Sequence, residues 1–334
     1  MSTPSSLSGR GLIDNHGRPI TYLRLAITDR CNLRCRYCMP AGGVPALRHD
    51  EILSFEELER LAAIFVALGV RKIRVTGGEP LVRRGCLPFL RRLADLAGLD
   101  SLHLTTNGVA LAPYCDELAA LGIQVNLSLD TLDRKRFWSI SRRDLLPAVE
   151  KSLHRLLATG LPLKINTVVL ADTTDAEIVA VADLARRHPL TVRFIERMPF
   201  AGRTWRDGGR QDETVRRRLG RLFPAMQEEF QAGPATAVLF RIPGWPGRLG
   251  SIEGYARRFC RTCNKVRITP AGMLKTCLYD DGVLDLRHLL RSGATDAAIA
   301  DAIIRAVGNR AANGFVAEAR TAARIKPSMA TIGG

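Results

Sequence analysis

The chain has 334 residues, 46% of them hydrophobic and 6% aromatic, and its 49 basic against 33 acidic side chains give a formal charge of +16. That balance is globular, and no apolar run approaches the roughly 20 residues of a membrane span, so neither a disordered chain nor a membrane protein is expected. The positive excess invites nucleic acid, but much of it falls between Arg203 and Arg221 without the interleaved aromatics of a single-strand binder; an anionic small substrate is the more economical expectation.

The start, Met1 to Gly11, is polar and Ser-rich and reads as a frayed terminus, not a secretory signal. A strand is predicted from Tyr22, and the run Thr28 to Pro40 that follows it carries Cys31, Cys35 and Cys38 at C-x3-C-x2-C spacing. A zinc site or a cubane cluster filled by protein alone takes four ligands, so a local set of three leaves a coordination position for something else. A zinc knuckle borrowing a distant fourth ligand is the alternative.

A helix is predicted next, opened by a capping box at Ser54-Phe55-Glu56-Glu57, with Leu58, Leu61, Ala62, Phe65 and Leu68 on one face and a stop at Gly69. Further strands begin near Lys72, Ser101, Ile123, Pro162 and Thr191, with amphipathic helices between them. Six such βα units imply a parallel sheet, doubly wound or closing into a barrel. In both, ligands gather at the C-terminal ends of strands. The cysteine run, Gly77-Gly78-Glu79-Pro80, Thr105-Thr106-Asn107-Gly108 and Ser128-Leu129-Asp130 all follow strands.

Beyond Phe200 the rhythm breaks. Short strands around Val238 to Ile242 and Leu249 to Ile252 precede Cys260, Cys263 and Cys277, which sit on a predicted hairpin turning at Pro270-Ala271-Gly272. By itself this C-x2-C-x13-C set is open between a zinc site with a remote histidine and a cluster. Eight cysteines, six of them in two ligand-like sets, do not form a disulfide framework. Cys86 and Cys115 are expected as buried thiols, in a reducing compartment, the cytoplasm.

The first triplet, with Tyr37 before its last cysteine, and Gly77-Gly78-Glu79-Pro80 together resemble the radical S-adenosylmethionine (radical SAM) family. Adding the second triplet, its insert Asn264-Lys265-Val266-Arg267 and the terminal Gly333-Gly334, the chain from about Gly11 onward resembles the GTP 3′,8-cyclases of molybdenum cofactor biosynthesis. The resemblance implies an α/β fold, a partial (β/α)6 TIM barrel, and a division into residues 1–20, a barrel at 21–205 and an auxiliary-cluster domain at 206–334. It implies two 4Fe-4S clusters, one on Cys31, Cys35 and Cys38 and one on Cys260, Cys263 and Cys277. SAM would be bound by Tyr37, Gly78, Ser128 and Met198, and GTP by Arg24, Arg74, Thr105, Lys164, Lys265, Val266 and Arg267, with Arg193 a further candidate. No acid–base residue is implied; the Gly333-Gly334 tail would reach into the site. Implied partners are an electron donor of flavodoxin or ferredoxin type and a downstream cyclic pyranopterin monophosphate synthase, with the chain a monomer or homodimer.

Taken one by one, Met198 reads equally as core, Ser128 as a helix cap and Gly78 as an ordinary turn. Lys265 departs from the resembled pattern, which has arginine there; lysine keeps the charge and loses the planar fork. A peptide-modifying radical SAM enzyme would carry more C-terminal cysteines, and a zinc-dependent RNA-binding protein would use the charge differently.

Overall fold

The computed structural model describes residues 11–198, 213–321 and 328–333. Its six leading strands are β1 (Tyr22–Ala26), β2 (Lys72–Thr76), β3 (Ser101–Thr106), β4 (Gln124–Ser128), β5 (Leu163–Val169) and β6 (Thr191–Glu196). Each begins within one residue of its predicted start, and neighbours pair in parallel from β1 through β6. Helices cross between them, as a parallel ladder requires, and the result is the partial barrel that the sequence led us to expect.

The first of these helices, Phe55–Ala67, has both halves of its capping box: Ser54 accepts from the Glu57 amide at 3.1 Å and Glu57 accepts from the Ser54 amide at 2.7 Å. Leu58, Leu61, Ala62, Phe65 and Leu68 are all fully buried. Burial of each large apolar side chain contributes about 1.5–3 kcal/mol. Gly69, at φ +96°, takes the left-handed turn that ends the helix.

Six more strands extend the ladder, the first three on the β6 flank and the last three on the β1 flank: β7 (Gln227–Glu229), β8 (Val238–Arg241), β9 (Arg248–Ile252), β10 (Lys265–Ile268), β11 (Met273–Lys275) and β12 (Leu284–Asp285). The whole forms one 12-stranded sheet in the order β12-β11-β10-β1-β2-β3-β4-β5-β6-β9-β8-β7. β10 and β11 make the predicted hairpin, closed by the Gly272 amide donating to Thr269 O at 2.9 Å. Two parallel pairings lie outside what the sequence pattern predicts: β9 runs parallel to β6, setting Gly250 beside Arg193, and β10 runs parallel to β1, setting Lys265 beside Tyr22 and Arg267 beside Arg24.

Of the basic stretch from Arg203 to Arg221, residues 203–212 lie outside the described part. The helix Val215–Leu222 spends its charge locally: Arg216 pairs with Glu228 at 2.6 Å, and Arg218 and Arg221 pair with Asp175 at 2.7 and 2.8 Å.

Candidate active site

Strand alternation decides what faces the barrel interior. On β1, Leu23 and Leu25 pack outward into the core while Tyr22 and Arg24 line a central cavity; on β5, Leu163 and Ile165 do the first and Lys164 and Asn166 the second. Register then stacks the inward residues in rows. Lys265, Tyr22 and Lys72 are neighbours, as are Arg267, Arg24, Arg74 and His103 one layer up, then Thr105, Asn126 and Lys164, then Ser128, Asn166 and Arg193. Gly250, opposite Arg193, leaves room for it, since a Cβ there would stand 3.2 Å from Arg193 Cγ.

The cavity, about 530 Å³, therefore has two unlike ends. Among the described residues its floor and walls hold Arg24, Lys72, Arg74, Lys164, Arg193, Arg197, Lys265 and Arg267 against only Glu79 and Glu196. Burial, and then mutual repulsion, pulls Lys164 down to about 8, beside Arg193, and Arg193 to about 10, beside Arg74. Lys72 and Lys265 are lowered for the same first reason. Burial pushes the Tyr22 phenol up, but Arg74, Arg24 and Lys72 overrule it and bring it to about 7; Arg74 Nε donates to that phenol and Arg74 Nη1 to Thr105 at 3.3 Å. Asn126 Oδ1, Asn166 Oδ1 and Arg193 Nε are buried with no hydrogen-bond partner among the described residues. Like charges packed together are the mark of a pocket shaped for an anion, while the two unsatisfied asparagine oxygens call for donors on a ligand.

The opposite end is sulfur-rich. Cys31, Cys35 and Cys38 line it, together with Tyr37, Gly77, Gly78, Ser128 and Met198. Gly77 and Gly78 are there because the backbone entering the cysteine run passes over them: the Gly78 amide donates to Thr28 O at 2.7 Å and the Glu79 amide to Arg30 O at 2.8 Å. The Glu79 carboxylate, held up at about 7 by burial, accepts from the Asn107 and Leu81 amides and from Thr106. Asn107 in turn faces Cys31 Sγ at 3.7 Å, and the Leu33 amide approaches the same sulfur at 3.4 Å. Tyr37 donates to Asp130 at 2.8 Å, tying the cysteine run to the end of β4. Arg142, in a left-handed conformation at φ +56°, donates to Arg34 O and Met39 O and clamps the run from outside.

A second cavity of about 120 Å³ is lined by Cys260, Cys263 and Cys277 and shares Arg24, Met198, Lys265 and Arg267 with the first. Gly254 makes way for Met198, whose Cγ would stand 3.0 Å from a Cβ. Burial pushes Cys38 and Cys277 up to about 11, whereas Arg310 and Lys265 overcome burial and lower Cys263. All eight cysteines are free thiols. Among the described residues no three Cys, His, Asp or Glu side chains close on a single point as one metal ion requires. Thiols spread around a cavity and met by N–H donors suit a cluster that takes each through a separate iron.

Of the residues singled out from sequence, all but Val266 and the tail glycines line one or both cavities. Val266 is fully buried in the core behind β10, so only its backbone is available to a ligand. Gly333 sits at the end of the short helix Met329–Ile332, where its carbonyl accepts from Arg267 at 2.9 Å, and Ser328 donates to Cys38 O at 2.8 Å. Gly334 lies outside the described residues. Tyr22, Lys72, Asn126 and Asn166 were not among the predicted site residues; each occupies an inward-facing strand position, as Arg24 and Arg74 do. Cys86 and Cys115 are buried in the core, as expected.

Residues 25–185 match the Radical SAM superfamily model and residues 190–316 the model described as Molybdenum Cofactor Synthesis C. The chain is similar to a GTP 3′,8-cyclase of Moorella thermoacetica, 43% identical over 88% of this chain and 92% of that one, and to one of Geobacter sulfurreducens, 46% identical over 84% and 87%. It is also 40% identical to mouse molybdenum cofactor biosynthesis protein 1, over 90% of this chain and 48% of the mouse protein. Among solved structures, Streptococcus suis SuiB bound to S-adenosylmethionine shares the fold, with a TM-score of 0.59 at 14% identity, over 82% of this chain and 64% of that one.

Proposed function

Because the chain belongs to the GTP 3′,8-cyclase family of radical SAM enzymes, we propose that it cyclises GTP to 3′,8-cyclo-7,8-dihydro-GTP, the first step of molybdenum cofactor biosynthesis. The observation that carries this beyond family membership is the composite cavity: eight cations line it, three thiols line it beyond the strand ends, and a second thiol set shares its wall.

On this reading Cys31, Cys35 and Cys38 hold the first 4Fe-4S cluster and Cys260, Cys263 and Cys277 the second. Tyr37, Gly78, Ser128 and Met198 seat SAM. Arg24, Arg74, Thr105, Lys164, Arg193, Lys265 and Arg267 take GTP, with the triphosphate toward the rows near the strand starts. When bound, the first cluster and SAM supply the carbon radical that removes hydrogen from the ribose 3′ carbon. The chain's own work is placement. Fixed cations anchor the phosphates without reorganising, which orients the sugar, and the enclosing sheet keeps water and quenching side chains away. No side chain has to move a proton to start. One-electron supply by a flavodoxin- or ferredoxin-type carrier and consumption of the product by a cyclic pyranopterin monophosphate synthase belong to the same proposal.

The test is anaerobic reconstitution with iron and sulfide, then SAM, reductant and GTP, with mass spectrometry of the nucleotides. Formation of 5′-deoxyadenosine together with a cyclised GTP isomer is expected. Cleavage of SAM with GTP intact would mean the substrate is wrong.

Lys265, its ammonium 5.6 Å from the Tyr22 ring centre, offers a single charge where the family pattern has a fork. Lys265→Arg is expected to tighten GTP binding by about tenfold, the equivalent of one charge-assisted hydrogen bond. Calorimetric titration checks this; unchanged affinity would reduce the position to a bare charge.

A further inference from the structure

The two cysteine sets differ in what faces their sulfurs. Cys31 Sγ is met by neutral donors, the Leu33 amide and the Asn107 side chain. Cys263 Sγ is met by a guanidinium: Arg310 Nη2 donates to it at 3.0 Å.

Arg310 is fixed there by everything around it. Its side chain is 3% exposed. Nε donates to Thr276 O at 2.8 Å, Nη1 to Cys263 O at 2.7 Å, and Nη2 also to Lys265 O at 3.1 Å. Asp14, its ionic partner at 3.2 Å, is simultaneously the partner of Arg18 at 2.7 Å, and Arg18 reaches on to Cys260 O at 2.8 Å. One carboxylate thus serves two guanidiniums, and a net positive charge remains beside the Cys260–Cys263 segment. Reduction adds negative charge to a thiolate-ligated cluster, and a charged N–H donor on a ligand sulfur stabilises the reduced form more than the oxidised one.

We propose that Arg310 is a positioning residue that sets the reduction potential of the second cluster, holding it easier to reduce than the one on Cys31, Cys35 and Cys38. This rests on the reading that Cys260, Cys263 and Cys277 hold a 4Fe-4S cluster. It gives the two cysteine sites different electron affinities, so an electron entering the protein has a downhill direction toward the site beside Arg310.

The test is an EPR-monitored redox titration of the full chain carrying Cys31→Ser, Cys35→Ser and Cys38→Ser, so that only the second cluster is read. Adding Arg310→Gln is expected to shift the oxidised-to-reduced ratio about tenfold toward the oxidised form at a fixed potential, about 59 mV for a one-electron couple. Arg310→Lys, which returns the charge without the fork, recovers part of the shift. An Arg310→Gln chain with full iron content and the parent potential overturns the proposal. So does loss of the cluster from both variants, which would make Arg310 a brace and not a tuner. A parent chain that takes up no iron at this site would sink the two-cluster assignment itself, and this inference with it.

Discussion

Gly78→Ala is expected to cut formation of 5′-deoxyadenosine by at least about 100-fold, the loss that follows from moving a reacting group by around an ångström. A Cβ at position 78 would stand 2.4 Å from Arg30 O, 2.7 Å from Arg30 C and 2.8 Å from Asp29 O. These are backbone atoms and cannot rotate away, so relief requires the segment ahead of Cys31 to shift. Gly77 is no escape: it sits at φ +149° with Thr28 O 2.4 Å from its own virtual Cβ. Overpacking of this kind costs about 1–3 kcal/mol in stability as well. Gly220, within the helix Val215–Leu222 and with nothing within 4 Å of a Cβ, is the control; Gly220→Ala is expected to be neutral or slightly stabilising. Thermal melts and 5′-deoxyadenosine yield measured on both variants check the contrast, and parent-like yield from Gly78→Ala would refute the close-approach account.

Deleting Gly333 and Gly334 is expected to leave iron content unchanged and reduce cyclisation at least about 100-fold, again a cost of misplacement and not of lost cofactor. The deletion removes the carbonyl that receives Arg267, and with it the bond that points this guanidinium across the shared wall of the two cavities. Gly333→Val reaches the same end by crowding: φ is +77°, and a Cβ would stand 2.6 Å from Ala26 Cβ. Iron analysis alongside nucleotide mass spectrometry distinguishes the effects. Full cyclisation by the deleted chain would make the terminus a passive end.

What could be read in advance followed the range of the signal. Strand starts, the Ser54–Glu57 cap and the Gly272 turn depend on neighbours a few residues apart, and all appear where expected. The two cysteine sets were visible as sets because their spacing is itself local, and each comes to line a cavity. Arg24, Arg74 and Lys164 are charges inside predicted strands, a contrast visible in the sequence. Tyr22 and Asn126 carry no such contrast, since either is an ordinary strand residue until register sets it among cations. The fate of Val266 turned on one step of alternation, which composition cannot show. Asp14, Arg18 and Arg310 meet across 296 residues, and nothing near any of them announces the others.

The parallel pairing of β10 with β1 has a consequence for biosynthesis. The two strands meet across 243 residues of chain. At a synthesis rate of 5–20 residues per second the first strand waits roughly 12–50 s for its neighbour. During that time the barrel has a raw flank of unpaired amides and carbonyls, the kind of edge on which chains aggregate. The same delay leaves the cavity unfinished: it lacks Lys265 and Arg267 until the flank is closed, so a nascent chain has only part of the polycationic interior.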